Sequence, residues 1–488
     1  MSDNPNSEKL NHHLALKIIL QLGLFTILAL FAWQYLNGRT SPPAVNTFKE
    51  LSDAELAQLV DSLRLDAPSS VPDPKEENLA KLGHDFFFDP GFSANGQISC
   101  ASCHNPDRSF TDGKQRSLGQ STTKMNAPTL VNVAKGHWFF WNGRADSLEA
   151  QAVGPLEHPG EHGFSRSKVL RRLIEHYKKP YEKIFGTLPK ISHEAHSDNT
   201  PPNLPLVSDE IAAYALTTLG SKDFQKHVLA SAMDQSLQPI EIIKNYAAFD
   251  ADTRPSQIKA LTAEATNSKD VHVINKVFMN FTRALAAFER TIKAGNSPFD
   301  QFAQSLVTTK NTASALNDEF GPSELRGLRI FAGKGQCIVC HSGPTLSDEQ
   351  FHNIGLPARD NKSIDLGRAQ GMLLVRSDPF NCLGDYLAEK KQTESCLELG
   401  YLESENIGSV GAFKTPTLRQ LRHTAPYGHD GRFKSLSEVL RHYNDLAESP
   451  AVGRTESTLR PLGLNDGELE DLERFLLSLH GTTTFLQR

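Results

Sequence analysis

Apolar residues recur along this chain mostly at helical spacing, which predicts a mainly α protein. In Asn465–Leu479, residues Leu469, Leu472, Phe475, Leu476 and Leu479 line one helical face. Asn280–Ala294 (NFTRALAAFERTIKA) has the same spacing. Ser52–Leu63 reads as a short amphipathic helix, and Glu76–Phe88 as a helix closed by the turn Asp89-Pro90-Gly91. Glu324–Phe331 is another. Ser435 and Glu438 read as a capping box for a helix over Ser435–Leu446. Leu436, Val439, Leu440 and Leu446 set its apolar face, and Tyr443 falls on that face. Asp146 and Glu149 open a further helix in the same way, with Gly154-Pro155 as its stop. The polar, proline-rich His193–Pro205 reads as a surface loop, and strand signals are scarce.

One apolar run has a different meaning. Ile18–Leu36 carries no formal charge, and about 19 residues at roughly 1.5 Å each match a bilayer core. Lys9 and Lys17 precede it, and Trp33 and Tyr35 stand at its outer end as interface aromatics do. A membrane anchor is the expectation. A cleaved signal peptide competes, although no small-x-small cleavage site follows. Both readings export the rest of the chain. Pro42, Pro43, Pro72 and Pro74 mark a lead-in. The predicted organisation is an anchor and tether over 1–45, one domain over 46–300 and a second over 301–488. The last helix is a candidate to pack back on the first domain.

Composition changes this picture little. The chain has 488 residues, 39% of them hydrophobic and 22% charged, as folded proteins do. The net charge of -6, with no long basic run, excludes nucleic acid as a partner.

Candidate chemistry lies in two short stretches, Cys100-Ala101-Ser102-Cys103-His104 and Cys337-Ile338-Val339-Cys340-His341. Cys-x-x-Cys-His is the attachment signature of c-type haem. Two thiols at this spacing reach the two vinyl groups of one haem, and the adjoining histidine becomes the proximal iron ligand. Zinc knuckles or redox Cys-x-x-Cys sites are the competing reading. Each motif follows a helix and a short loop, a weak internal repeat consistent with two cytochrome-c-like units. Two cysteines remain, Cys382 and Cys396. In an oxidising compartment they form a disulfide worth on the order of 3 kcal/mol, or else stay as two buried thiols.

Three longer runs carry a resemblance: LGHDFFFDPGFSANGQISCASCH, FFWNGRADSLEAQAVGPLEHPGE and FKTPTLRQLRHTAPYGHDG. They resemble the bacterial dihaem cytochrome c peroxidases, which include the MauG-type enzymes, over roughly residues 75–480. The resemblance implies a periplasmic enzyme that reacts with hydrogen peroxide at the first haem. It makes Trp141 the residue between the haems, Gln151 a distal-pocket residue and Glu161 the distal acid. Moving a proton between the peroxide oxygens requires such a carboxyl; spacing alone would leave Glu161 an exposed loop residue. The flanking His158 and His162 read as surface residues.

In the peroxidase branch a histidine downstream of the first motif caps the first iron. Gln120 stands there, in Leu118-Gly119-Gln120-Ser121, and no histidine lies between His104 and His137. The expectation is a first haem open on its distal side in the diferric state. At the second haem the branch's methionine position corresponds to Tyr443, where MauG-type enzymes carry tyrosine. Phenolate favours oxidised iron, methionine ferrous iron. A core role for Tyr443, or ligation by His442 or Met372, are the alternatives. The family also implies one calcium ion held by Asn126 and the backbone of Thr424 and Pro426; oxygen donors suit that ion. His429 reads as a second-haem pocket residue or a surface turn. Electrons would come from a small c-type cytochrome, a cupredoxin or quinol. Alternatively, as in MauG, a residue of a partner protein is oxidised through a high-valent dihaem state. A non-enzymatic dihaem electron carrier is the reading of another class.

Overall fold

Ser52 opens α1 (Asp53–Leu63) with the reciprocal bonds of a capping box: its Oγ accepts from the Glu55 amide at 3.3 Å, and its own amide donates to the Glu55 carboxylate at 2.8 Å. The computed structural model describes residues 51–65, 74–189, 269–358, 365–384, 386, 394–401 and 409–487, all within the unit Leu51–Arg488. The helices used below are then α2 (Pro74–Phe88), α3 (Cys100–Cys103), α4 (Leu148–Glu157), α5 (Arg166–His176), α6 (Lys178–Phe185), α7 (Lys269–Glu289), α8 (Pro298–Thr309), α9 (Pro322–Ala332), α10 (Arg368–Ser377), α11 (Glu394–Tyr401), α12 (Leu436–Asp445) and α13 (Asp466–Leu477). The run 18–36 and the loop 193–205 lie outside the described residues. Among the described residues no helix is long and apolar enough to cross a membrane.

The fold is mainly α. Its ladders, among the described residues, are two antiparallel pairs of two-residue strands. β1 (Lys293–Ala294) pairs with β4 (Thr483–Thr484), placing Lys293 opposite Thr484. β2 (Phe351–His352) pairs with β3 (Phe413–Lys414), placing Phe351 opposite Lys414.

The apolar faces meet in two principal cores. One gathers α2, α5, α6 and α7, with Leu82, Phe86, Phe87, Val169, Leu173, Tyr181 and Phe281 buried; Phe86 stacks on Phe281 with ring centres 4.5 Å apart. The other gathers α1, α8, α9, α12 and α13 around Leu56, Phe302, Phe331, Leu440 and Phe475. The residues after α13 return to the first core, where Phe485 meets Phe110 edge-on at 5.1 Å.

The helix before each haem motif is seated by a glycine. A Cβ on Gly83 of α2 would lie 1.8 Å from the Ala284 carbonyl oxygen of α7. A Cβ on Gly327 of α9 would lie 2.0 Å from the Asp471 carbonyl oxygen of α13. Both helix pairs therefore cross at backbone contact, a distance only glycine allows.

A buried ion pair joins distant parts of the second core. Arg419 Nη1 donates to Asp300 Oδ2 at 2.8 Å, Nη2 to the Leu63 carbonyl at 2.7 Å and Nε to the Pro344 carbonyl at 3.0 Å. The Leu65 amide also donates to Asp300. Every polar atom thus has a partner, the condition for tolerating charge at full burial.

Two local readings need correction. Ser147, not Asp146, caps α4: its Oγ accepts from the Ala150 amide at 3.2 Å. Asp146 is buried, and its Oδ2 accepts the Cys382 amide at 2.7 Å. The helix runs through Pro155 to Glu157, because a proline in the last turn forgoes one amide bond while Val153 and Leu156 stay buried. At α12 the box is half made: Ser435 Oγ accepts from the Glu438 amide, but the Glu438 carboxylate turns back to the Lys434 amide at 2.6 Å. Cys382 and Cys396 are joined as a disulfide. Trp138 packs against it and donates from Nε1 to Glu398 of α11 at 2.7 Å.

Candidate haem sites and peroxide pocket

Each motif is a single helical turn that presents its histidine the same way. The His104 amide donates to the Cys100 carbonyl at 2.9 Å, and the His341 amide to the Cys337 carbonyl at 2.9 Å. His104 Nδ1 donates to the Phe110 carbonyl at 3.0 Å, and His341 Nδ1 to the Leu346 carbonyl at 2.9 Å. With Nδ1 so engaged, Nε2 is the ring nitrogen left for iron ligation, and the Pro128 carbonyl also acts on the His104 ring. Burial holds both rings below the usual histidine range, in the neutral form that binds metal.

The acceptors were not foreseen from sequence. Phe110 and Leu346 are fully buried, with φ of 57° and 53°. This left-handed region is uncommon for non-glycine residues and costs of order 1–3 kcal/mol. It turns the carbonyl of a core residue back onto a histidine. No sequence signal marks it, since both residues read as ordinary core positions.

The cysteines fit attachment better than zinc or redox chemistry. All four are unpaired. Burial pushes the Cys103 thiol up to about 11 and the Cys337 thiol up to about 12. A redox Cys-x-x-Cys site lowers its thiol instead. Beside the first motif, Arg116 Nε is buried without a hydrogen-bond partner, a donor suited to an acidic group such as a haem propionate. Cys340, Asp348 and His352 lie close enough to suggest a metal cluster. However, His352 is already bonded on both sides, to Asp348 at 2.9 Å and Glu456 at 3.1 Å, and has no free lone pair.

On the first site the Glu161 loop and the Gln120 segment are paired. The Gln120 amide donates to the Glu161 carbonyl, and the Ser121 amide to the Gly160 carbonyl, each at 3.0 Å. Glu161 is the one loop carboxylate that acts electrostatically on Cys100, Cys103 and His104 together. Its nearest basic neighbour is His158 Nδ1, 3.8 Å away on the surface. His162 is not a surface residue: it is 5% exposed, and its Nδ1 donates to the Phe92 carbonyl at 2.9 Å, fixing the loop to the first core. Gln151 lies on α4, partly buried.

Trp141 stands where the two haem-bearing parts of the chain meet. Its Nε1 donates to the Asn126 carbonyl at 2.9 Å, and its carbonyl accepts the Lys414 amide of β3 at 2.8 Å. The Asn126 amide donates in turn to the His429 carbonyl at 2.9 Å. The Asn126 side chain donates to the Lys114 carbonyl at 2.8 Å. His429 stacks on Phe413, ring centres 3.6 Å apart.

At the second site Tyr443 is half-buried, and its hydroxyl makes no hydrogen bond among the described residues. Burial raises the phenol, with smaller influences from Cys337 and Cys340, and Cys337 packs against the core that Leu436 and Leu440 of the same helix as Tyr443 enter. The alternatives are otherwise occupied. His442 Nε2 donates to the Ile354 carbonyl at 2.9 Å. Met372 is 2% exposed, closed in by packing.

A family profile described as "Di-haem cytochrome c peroxidase" matches residues 77–238. The chain is similar to the dihaem cytochrome c peroxidases and MauG proteins. It is 29% identical over 450 residues to the methylamine utilization protein MauG of Methylorubrum extorquens, covering 90% of this chain and 89% of that one. It is 24% identical over 420 residues to the cytochrome c551 peroxidase of Nitrosomonas europaea, covering 85% and 83%. Its fold is that of a variant of the diheme peroxidase BthA from Burkholderia thailandensis, with a TM-score of 0.50 at 19% identity over 86% of this chain and 90% of the other. These similarities, over most of both chains, mark it as a peroxide-dependent oxidoreductase of the dihaem kind.

Proposed function

We propose that the protein is a periplasmic dihaem enzyme that receives hydrogen peroxide at the first site and draws on the second site for one of the two electrons peroxide requires. The observation that carries this reading is the twinned motif: two histidines of Cys-x-x-Cys-His segments held by the same kind of backbone bond. Bound haem supplies electron exchange at both sites and a place for peroxide at the first. The chain's own residues supply the rest. Cys100, Cys103 and His104 hold one haem, and Cys337, Cys340 and His341 the other. Glu161 carries the proton that must pass between the peroxide oxygens, and Gln151 orients the molecule. Gln120 leaves that face open. Tyr443 would supply an oxygen ligand to the second haem, and an anionic oxygen there would favour the oxidised metal.

Trp141 connects the two sites. The 46–300 and 301–488 parts serve as the peroxide-reacting and electron-supplying domains. Asn126, with the backbone of Thr424 and Pro426, holds one calcium ion at their meeting point. Residues 18–36 anchor the chain to the inner membrane. The reductant is a small c-type cytochrome, a cupredoxin or quinol. A second reading, oxidation of a residue in a partner protein, is favoured by Tyr443 and Gln120 together, since an open first site and an anionic second ligand both stabilise oxidising power. A passive electron carrier has no use for Glu161 over an open site.

Mass spectrometry of protein matured in a haem-attaching periplasm tests the foundation. The expected mass is that of the chain plus two haems. The Cys340→Ala variant should have an altered attachment at the second site while the first haem remains. A mature protein with zinc, or with no added haem, would overturn the reading.

A further inference from the structure

Glu289 is the last residue of α7 and is 5% exposed. Its Oε2 is shut off from solvent and has no hydrogen-bond partner. A charged carboxylate there would lose the hydration of Oε2 with no hydrogen bond in exchange, which favours the neutral acid. Burial, partly opposed by Arg290 and assisted by Glu149, pushes it up to about 8. Arg290 and Glu149 are the charged groups that act on it, and they are bonded to each other at 2.7 Å, so their influences largely cancel. Cys100 packs against the apolar core that Leu285 and Phe288 of the same helix as Glu289 help to form. Of the charged groups that act on this sulfur, Glu289 acts most strongly. The handling of peroxide makes no use of it.

We propose that Glu289 is a proton-linked site that sets the potential of the first haem, gaining a proton when that haem gains an electron and releasing it when the electron leaves. This rests on the reading that the first motif carries haem. The balance is one electron from the reductant and one proton from water, the new O–H bond forming on the Glu289 carboxyl. The physical cause is Coulombic. An electron added nearby in a poorly screened interior raises the proton affinity of a buried acid, and a proton on that acid eases reduction by the same amount.

The test is a spectroelectrochemical titration of the holoenzyme across about pH 6–9. In wild type the first-haem potential should fall as pH rises, by at most about 59 mV per tenfold change in proton concentration. In Glu289→Gln, which keeps shape and removes the proton site, it should be flat, with the second haem unchanged. Redox-difference infrared spectra of wild type should show a protonated-carboxyl band that moves in heavy water. This readout needs no variant. A flat wild-type profile, a slope that survives in Glu289→Gln, or the absence of the band would overturn the proposal. Haem content and peroxide reaction at one fixed pH are read on the same samples. Their failure in wild type would overturn the parent reading instead.

Discussion

Glu161→Gln slows the reaction with hydrogen peroxide by about 10²–10⁴-fold, the usual contribution of a positioned general acid–base group. The amide has the same shape and keeps the backbone bonds that pair the loop with Gln120, because those bonds use the Glu161 carbonyl and not its side chain. His162 continues to tie the loop to Phe92. The pocket therefore stays in place, and only the exchangeable proton is lost. Stopped-flow mixing with peroxide measures the rate, and the haem spectrum of the resting variant shows whether the site is intact. A variant with wild-type rate and unchanged haems would assign the proton transfer elsewhere.

Tyr443→Met should raise the potential of the second haem by on the order of 100 mV or more, within the roughly 0.8 V that axial ligands span. The argument rests on charge. A phenolate oxygen compensates the extra positive charge of ferric iron, and a thioether cannot. The hydroxyl of Tyr443 has no other bond to lose among the described residues, and Cys337 and Cys340 are the charged groups that act on it. The substitution thus replaces the proposed ligand without breaking a network. Redox titration followed at each haem is the check. A second-haem potential that does not move would make Tyr443 a packing residue and return Met372 or His442 to consideration.

The parts of this molecule that were legible in sequence are those governed by period and spacing. Helical periodicity located α2, α9, α12 and α13 to within a few residues, because burial on one face is what holds them. The haem motifs were legible because the chemistry fixes their spacing. The errors are informative in another way. Asp146 looked like a cap, but capping depends on which side chain points back at the helix, and Ser147 does so. His162 looked exposed because its neighbours are polar, yet the Phe92 carbonyl offered a buried partner. The carbonyls of Phe110 and Leu346 could not be read at all. A left-handed turn at a large apolar residue arises from packing of the whole module, and local propensity argues against it. Gly83 and Gly327 sit in ordinary helical sequence, and their purpose appears only when α7 and α13 lie across them.

The most direct test of the account is rapid mixing of the fully oxidised, diferric protein with stoichiometric hydrogen peroxide, followed by optical and electron paramagnetic resonance spectra. With Gln120 where a capping histidine would stand and Tyr443 on the second site, the prediction is an immediate spectral change at both haems without prior reduction. A protein that is inert when diferric and reacts only after receiving one electron would contradict the account: the first site would carry a distal ligand, and Gln120 and Tyr443 would have been misassigned.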